Sequence, residues 1–388
     1  MCVHHLASAA PRGLPLPSPI VDESNIGEGE LALRRLAGWL LPGAPDVGSV
    51  PVDRAVEVVA RAGSARLLGP LLAAVDAGVL ELPAAAVDEA RAGHEDAMLW
   101  CLHLEVRLLE VHHRLRAVGV DHLVVKGPAV AHLDEVDASL RAFSDLDLLV
   151  RGEQLEQALA VLGAMGGRRG YVERRPGFDR RFVKSVTLTL PDAVELDVHR
   201  MLSDGTHGFR IPIDRLFDQA TTFALGGERI PTLGLTHRAL HAAYHGVLGS
   251  ADPPLRTLRD LAAHLTSGDL PPQVLAAEAE RWRGTAVLAQ AVRETFATLQ
   301  FEAPEWERWL ADVVVDPREA AIVAAQRAES GSFGMAKVAA LRELAWRDRV
   351  AYGVAVVFPT SAHLRSRGIR RGDLVRTAAA RARQGITG

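Results

Sequence analysis

The chain has 388 residues, of which 48% are hydrophobic and 24% are charged. These proportions are typical of folded globular proteins and exclude a largely disordered or collagen-like chain. A formal net charge of −4 argues against a dedicated DNA-binding protein. Two cysteines, Cys2 and Cys101, are too few to cross-link a chain of this length, which favours a reducing cytoplasmic location.

Residues 1–24 are rich in proline, serine and alanine and predict a flexible leader. They contain no basic stretch followed by an apolar one, so no signal peptide is expected. No apolar run is long enough to cross a bilayer, so we expect no membrane association.

Apolar residues at helical spacing predict an N-terminal helical region over 25–118. One or two long helices are expected over Ala84–Val118, with Gly119 as the cap. Their apolar stripe is predicted from the residues Leu99, Leu102, Val106, Leu109 and Leu115.

The pattern changes to α/β over 119–230. A short apolar run, His122–Lys126, predicts a strand, and Gly127-Pro128 then marks the start of a helix. Further strands are expected over Asp145–Val150 and in a hairpin formed by Ser185–Leu190 and Ala193–His199.

Helical spacing returns over 231–388, and this region ends in an arginine-rich tail. The tail indicates either a solvated basic helix or a surface for RNA or an acidic partner. The whole pattern predicts an α+β fold, with a small mixed β-sheet core between helical flanks.

The segment Ser144-Asp145-Leu146-Asp147 carries the clearest chemical signal. Side chains alternate along a strand, so Asp145 and Asp147 share one face while the leucines enter the core. Adjacent carboxylates repel each other unless a cation lies between them, and Mg²⁺ suits such oxygen ligands. A solvated strand face is the alternative.

A second acidic strand strengthens the metal interpretation. In Val194–His199, alternation places Glu195, Asp197 and His199 on one face. If this strand lies beside the first, Asp197 joins the pair, and three carboxylates can hold two divalent ions. Glu195 is the competing candidate.

The turn Lys126-Gly127 is a candidate phosphate site. A glycine at a helix start exposes backbone N–H groups, and Lys126 adds a positive charge. An ordinary strand-to-helix turn is the alternative, and no Walker A sequence is present.

Together these segments resemble the uncharacterised nucleotidyltransferase family of the DNA polymerase β-like superfamily. The resemblance rests on the following segments: Lys126-Gly127, Arg141, Ser144–Val150, Glu195–His199, His241–His245 and Leu258–Leu261. The superfamily usually has Gly-Gly or Gly-Ser at the first motif, whereas here Lys126 precedes Gly127 and Pro128 follows it.

The resemblance implies that Asp145 and Asp147 bind Mg²⁺ and the nucleotide phosphates. Asp197 would complete the metal site and help to deprotonate an acceptor hydroxyl. The reaction would be attack on the α-phosphorus of an NTP with release of pyrophosphate. The residues predicted to contact the nucleotide are Lys126, Gly127, Arg141, Ser144, His199 and His245.

Several of these residues have structural alternatives. Arg141 can hold triphosphate, brace the carboxylates or lie in solvent. His199 can orient Asp197 or touch substrate, or it can be a satisfied core histidine. His241 and His245 lie one helical turn apart, so packing or nucleotide contact is favoured over zinc. Arg256, Arg259 and Asp260 form either an internal ion pair or a phosphate clamp.

We therefore predict a cytoplasmic, Mg²⁺-dependent nucleotidyltransferase with one or two metal ions. ATP is the favoured NTP, and a small molecule with a hydroxyl group is the favoured acceptor, with no DNA partner. The alternatives are a non-catalytic nucleotide-binding or scaffold protein and a transferase acting on RNA or protein.

Overall fold

A computed structural model of the protein describes residues 27–327 and 340–368. The predicted leader over 1–24 lies outside these residues. So do residues 328–339 of the C-terminal helical region and the arginines of the tail from Arg370 onward.

Four helices precede the first strand. They are α1 (Glu28–Gly38), α2 (Ala55–Ala65), α3 (Leu68–Asp76) and α4 (Ala84–Ala117). Their apolar faces form one buried cluster, which also contains Leu258 and Leu299 from helices late in the chain. At the end of α4, Gly119 has a φ of +74°, the left-handed conformation expected of its predicted capping role.

The buried side of α4 differs from the prediction. Leu99, Leu102 and Val106 are 65%, 58% and 64% exposed. Leu115 is buried as predicted, and the other buried residues of α4 are Ala86, Ala90, Cys101, Leu104, Leu108, Val111 and His112. Apolar residues follow helical spacing on both sides of α4, so periodicity alone did not determine which side the sheet covers.

Seven strands form one mixed sheet in the order β3-β4-β5-β2-β1-β7-β6. They are β1 (His122–Val125), β2 (Leu146–Val150), β3 (Arg168–Arg169), β4 (Ser185–Thr189), β5 (Glu195–His199), β6 (Thr221–Leu225) and β7 (Glu228–Thr232). The predicted hairpin is the antiparallel pair β4–β5. The hairpin of β6 and β7 was not predicted.

Among the residues that the structure describes, five α-helices lie between the strands, and eight more are described in full after them. The first group is α5 (Gly127–Leu133), α6 (Leu155–Ala164), α7 (Asp179–Phe182), α8 (Gly205–Arg210) and α9 (Ile213–Asp218). The second is α10 (Leu235–Gly249), α11 (Leu255–Thr266), α12 (Pro272–Arg281), α13 (Thr285–Leu299), α14 (Pro304–Asp312), α15 (Pro317–Arg327), α16 (Trp346–Val357) and α17 (Ser361–Ser366).

Helices cover both faces of the sheet. Leu146, Leu148 and Leu196 pack in a cluster with residues of α4 and α6. Leu123, Val125 and Leu149 point the other way, into a cluster built mainly from α10, α12 and α13. The expected α+β class, a mixed sheet between helical flanks, is confirmed. In the described part of the chain, no helix is both long and apolar enough to cross a membrane.

Candidate active site

The two acidic strands are direct neighbours in the sheet. β2 and β5 run parallel, and their register places Asp147 opposite Asp197. The alternate residues Leu146, Leu148 and Leu196 are fully buried. Burial of these leucines fixes the register, because a slip of one residue would turn them away from the core. The carboxylates therefore share the opposite face.

Asp147, Asp197 and His199 form a group in which one ligand atom from each lies within 4.8 Å of the others. It is the one group of this kind that the residues described by the structure contain. The two carboxylates fit Mg²⁺, which usually takes one or two of them in proteins. The imidazole nitrogen suits Mg²⁺ less well and is better placed to organise a carboxylate.

Asp145 and Glu195 lie outside that group. Asp145 is half-buried at the bend before β2, where the Ser144 hydroxyl lies 3.3 Å from its Oδ1. Glu195 is exposed at the start of β5. Of the two carboxylates on β5, the structure thus places Asp197 beside Asp147.

Asp147 is buried between two basic side chains. His199 Nε2 lies 2.7 Å from its Oδ1, and Lys126 Nζ lies 3.4 Å from its Oδ2. Burial alone would raise the pKa of the Asp147 carboxyl. The hydrogen bond with His199 and the charge of Lys126 outweigh burial and hold that pKa far below its usual range. Asp147 is therefore ionised at neutral pH.

His199 contacts Asp147 rather than Asp197, so the alternative that it orients Asp197 does not match the hydrogen bond found. Its side chain is 1% exposed, and its Nδ1 has no hydrogen-bond partner. Asp197 instead accepts a hydrogen bond from the Thr187 hydroxyl across the β4–β5 pair. Each carboxylate is thus held by a neighbouring strand.

The turn from β1 into α5 brings a cation to this pair. Lys126 has φ +58° and ψ −140°, and Gly127 has φ +30°. Glycine adopts positive φ readily, but lysine does so at a cost. The Gly127 carbonyl accepts a hydrogen bond from Arg141 at 3.0 Å, which ties the turn to the segment before β2.

Arg141 is buried and paired. Its Nε and Nη2 donate to Asp260 at 2.8 and 2.7 Å. Burial would raise the pKa of Asp260, but Arg141 holds it below the usual value. The carboxylate that Arg141 braces is therefore that of Asp260 on α11, and not one of the Asp145–Asp147 pair that the sequence suggested. The neighbouring Arg259 pairs with Glu135 at 2.7 Å, so the internal ion pairs reach α5 and β2 rather than remaining within α11.

Helix α10 covers the site. His241 and His245 lie one turn apart with ring centroids 6.5 Å from each other. Burial and the charge of Lys126 lower the pKa of both, that of His245 to about 3. Both imidazoles are therefore neutral at pH 7 and can contact a ligand without adding charge.

Lys184 was missed in the sequence analysis because it precedes β4, outside the strand alternation. Burial and the charge of Lys126 lower its pKa, while Asp204, Asp147 and Asp197 raise it. Lys184 is thus a second ammonium group in the field of the acidic pair.

No curated protein matches the sequence. Two solved structures resemble it distantly. An antigenic nucleotidyltransferase-like protein from Paracoccidioides brasiliensis is 15% identical, with a TM-score of 0.32 over 51% of this chain and 93% of that one. The antibiotic-resistance factor ANT(2'')-Ia is 16% identical, with a TM-score of 0.32 over 51% of this chain and 96% of that one.

A family model matches residues 53–299, which is more than half of the chain and includes the acidic strands, the Lys126 turn and the α10–α11 segment. That model describes uncharacterised nucleotidyltransferases. The sequence resemblance is therefore confirmed, and the chain belongs to the uncharacterised nucleotidyltransferase family.

Proposed function

We propose that this chain transfers a nucleoside monophosphate from an NTP, with ATP favoured, to a hydroxyl group of a small molecule, and releases pyrophosphate. The observation that carries the proposal is the pairing of Asp147 with Asp197 across β2 and β5, next to the ammonium of Lys126. A metal–triphosphate complex needs carboxylates that bind the metal ion, and a nearby ammonium group can bind the phosphate oxygens.

Asp147 and Asp197 would hold Mg²⁺, and Asp145 at the bend before β2 would reach the same complex from its edge. The bound metal would supply charge neutralisation at the phosphates. Lys126 and Lys184 would bind phosphate oxygens and move away from the carboxylates as the ligand enters. Ser144, Gly127 and His245 would be further contacts of the nucleotide, whereas Arg141 would act through the Gly127 turn that it holds.

Asp197 is the better candidate for accepting the proton of the acceptor hydroxyl. It is half-buried and accepts a hydrogen bond from Thr187, whereas Asp147 is enclosed by His199 and Lys126. A group that takes a proton must lie within hydrogen-bond reach of it, and the more open carboxylate allows this.

A small-molecule acceptor is favoured by charge. The chain carries a net charge of −4, whereas binding of an RNA depends on neutralising many phosphates. A cytoplasmic location is consistent with the presence of only two cysteines.

The test is pyrophosphate release from each α-labelled NTP with Mg²⁺ and a panel of hydroxyl-bearing acceptors. Asp147→Asn and Asp197→Asn should each lower the rate at least roughly 100-fold, because each removes a metal ligand. Glu195→Gln is the matched control, two residues away on the same strand and outside the cluster, and should keep activity. Full activity in a folded Asp147→Asn protein would contradict the mechanism.

A further inference from the structure

An aromatic pocket lies beside the acidic cluster. Its volume is about 370 Å³, which is within the range of small-ligand sites. The residues that line it are Arg174, Phe178, Phe182, Val183, Lys184, Ser185, Asp204 and Tyr352. We call this the aromatic pocket.

Three rings form its apolar wall. Phe178 and Phe182 are 5.0 Å apart between centroids, and Tyr352 of α16 lies 5.7 and 5.4 Å from them. Phe178 and Phe182 are only 7% and 9% exposed and pack with Ala355 in a small cluster separate from the main cores. Tyr352 is half-buried, so its ring is the one on which a ligand in the pocket can stack.

The pocket is continuous with the acidic cluster through β4. Ser185 lies opposite His199 in the β4–β5 register, and His199 contacts Asp147. Lys184 lines the pocket and is also in the field of Asp147 and Asp197. A ligand whose phosphates lie at the carboxylates would therefore extend past Lys184 toward the rings.

We propose that the aromatic pocket holds the base of the nucleotide substrate and that Asp204 selects bases with an amino group over uracil. This inference rests on the proposed function. An aromatic wall binds the π-face of a base. Asp204 is exposed at the start of α8, and its side chain makes no capping hydrogen bond there. A carboxylate accepts hydrogen bonds, so it matches the amino group of adenine, guanine or cytosine. Uracil has no amino group, and its single N3–H donor lies between two carbonyl oxygens that repel a carboxylate.

The experiment measures binding of Mg²⁺ complexes by calorimetry, using α,β-methylene analogues of the four NTPs and inorganic tripolyphosphate. The tripolyphosphate tests the phosphate site alone. Tyr352→Leu removes the ring while keeping apolar bulk. Trp346→Leu is the matched control, because Trp346 lies on the same helix, is 69% exposed and does not line the pocket.

Tyr352→Leu should weaken the ATP analogue roughly 5- to 100-fold, as expected for a lost base–aromatic stack, and leave tripolyphosphate unchanged. Trp346→Leu should change neither. Asp204→Asn should narrow the preference for the ATP analogue over the UTP analogue, since an amide also donates hydrogen bonds. Melting temperatures of the variants report whether each is folded.

Equal losses for the analogue and tripolyphosphate, or no loss in a folded Tyr352→Leu protein, would overturn the proposal. If Tyr352→Leu raises only the KM of the acceptor in the pyrophosphate-release assay and leaves binding of the ATP analogue unchanged, the pocket holds the acceptor. That result would also overturn the proposal. If the wild-type protein binds tripolyphosphate as tightly as the NTP analogues, the base contributes no affinity. That result contradicts the assignment of the pocket but not the phosphate site. Wild-type protein that binds neither contradicts the proposed function, and the pocket assignment falls with it.

Discussion

Lys126 occupies a backbone conformation that glycine adopts far more easily, with φ +58° and ψ −140°. Such strain costs on the order of 1–3 kcal/mol and persists where the surroundings enforce it. Here the side chain reaches Asp147, with Nζ 3.4 Å from Oδ2. The strained residue therefore carries the ammonium group that lies at the acidic pair.

Comparison of Lys126→Gly with Lys126→Met separates the two effects. Both variants lose the ammonium group, so both should bind Mg²⁺–NTP more weakly than the wild type. The glycine variant should also be more stable than the methionine variant by about 1 kcal/mol, since relief of strain exceeds the added chain entropy. Urea unfolding measures the difference, and equal midpoints would show that the turn is not strained.

For single residues, alternation predicted that Asp147 shares a face of β2 and that Asp197 and His199 share a face of β5. Apolar residues alternate throughout β5, and Leu146 and Leu148 flank Asp147 in β2. The contacts of these residues were not predictable. Arg141 and Asp260 are separated by 119 residues, and no local pattern in either segment specifies such a pairing. Lys184 lies outside a strand, where periodicity carries no information.

At the scale of elements, contact with the sheet decides which side of helix α4 is buried. Its buried stripe is set by contact with the sheet, and Leu108 is fully buried there while Leu102 is 58% exposed. Leu108→Ala should therefore lower the free energy of unfolding by about 2–5 kcal/mol, the cost of a core cavity. Leu102→Ala should change it by less than about 0.5 kcal/mol. Chemical denaturation compares the two, and a larger effect at Leu102 would mean that the exposed side is covered in solution.

The Arg141–Asp260 pair joins the segment before β2 to α11, and Arg141 also supports the Gly127 turn. Removal of one partner leaves a buried charge, so Arg141→Met should cost roughly 3–5 kcal/mol. The double variant Arg141→Met/Asp260→Leu removes both charges and should recover much of that loss. A double-mutant cycle by urea unfolding tests this, and strictly additive effects would show that the pair is not coupled.

The boundaries of several elements could be predicted, including the extent of α4, the β4–β5 hairpin and the start of α5 at Gly127. The β6–β7 hairpin was missed, although Gly226-Gly227 marks its turn. The strand order could not be predicted from the sequence. The parallel pairing of β2 with β5 joins segments about 50 residues apart, and it depends on which faces of the sheet the helices bury.

At the scale of the whole molecule, the sheet and the late helices share one core. Leu123, Val125 and Leu149 of the sheet are buried against helices that begin after β7. The same interface contains the acidic pair, His241 and His245. Opening of this interface would therefore expose apolar surface and the site together, which makes stability and ligand binding interdependent.

Acid should weaken this interface at a pH well above the range of the carboxylates. Burial lowers the pKa of His207 to about 4, with a contact to Gln326 opposing it, and burial and the charge of Lys126 lower that of His245 to about 3. An unfolded histidine takes up its proton near pH 6.5. Between that pH and the folded value, the unfolded state binds more protons, so stability is retained above pH 6.5 and is lost as the pH falls.

The expected slope is about 1.4 kcal/mol per pH unit for each such histidine, measured by urea unfolding at pH 7.5, 6.5, 5.5 and 4.5. His207→Gln should reduce the slope by up to about 1.4 kcal/mol per pH unit, which corresponds to one proton, because His207 is fully buried. His113→Gln is the control, since its side chain is 57% exposed, and it should leave the slope unchanged. If His207→Gln leaves the slope as steep as in the wild type, His207 is protonated in the folded state, and the acid sensitivity arises from other groups.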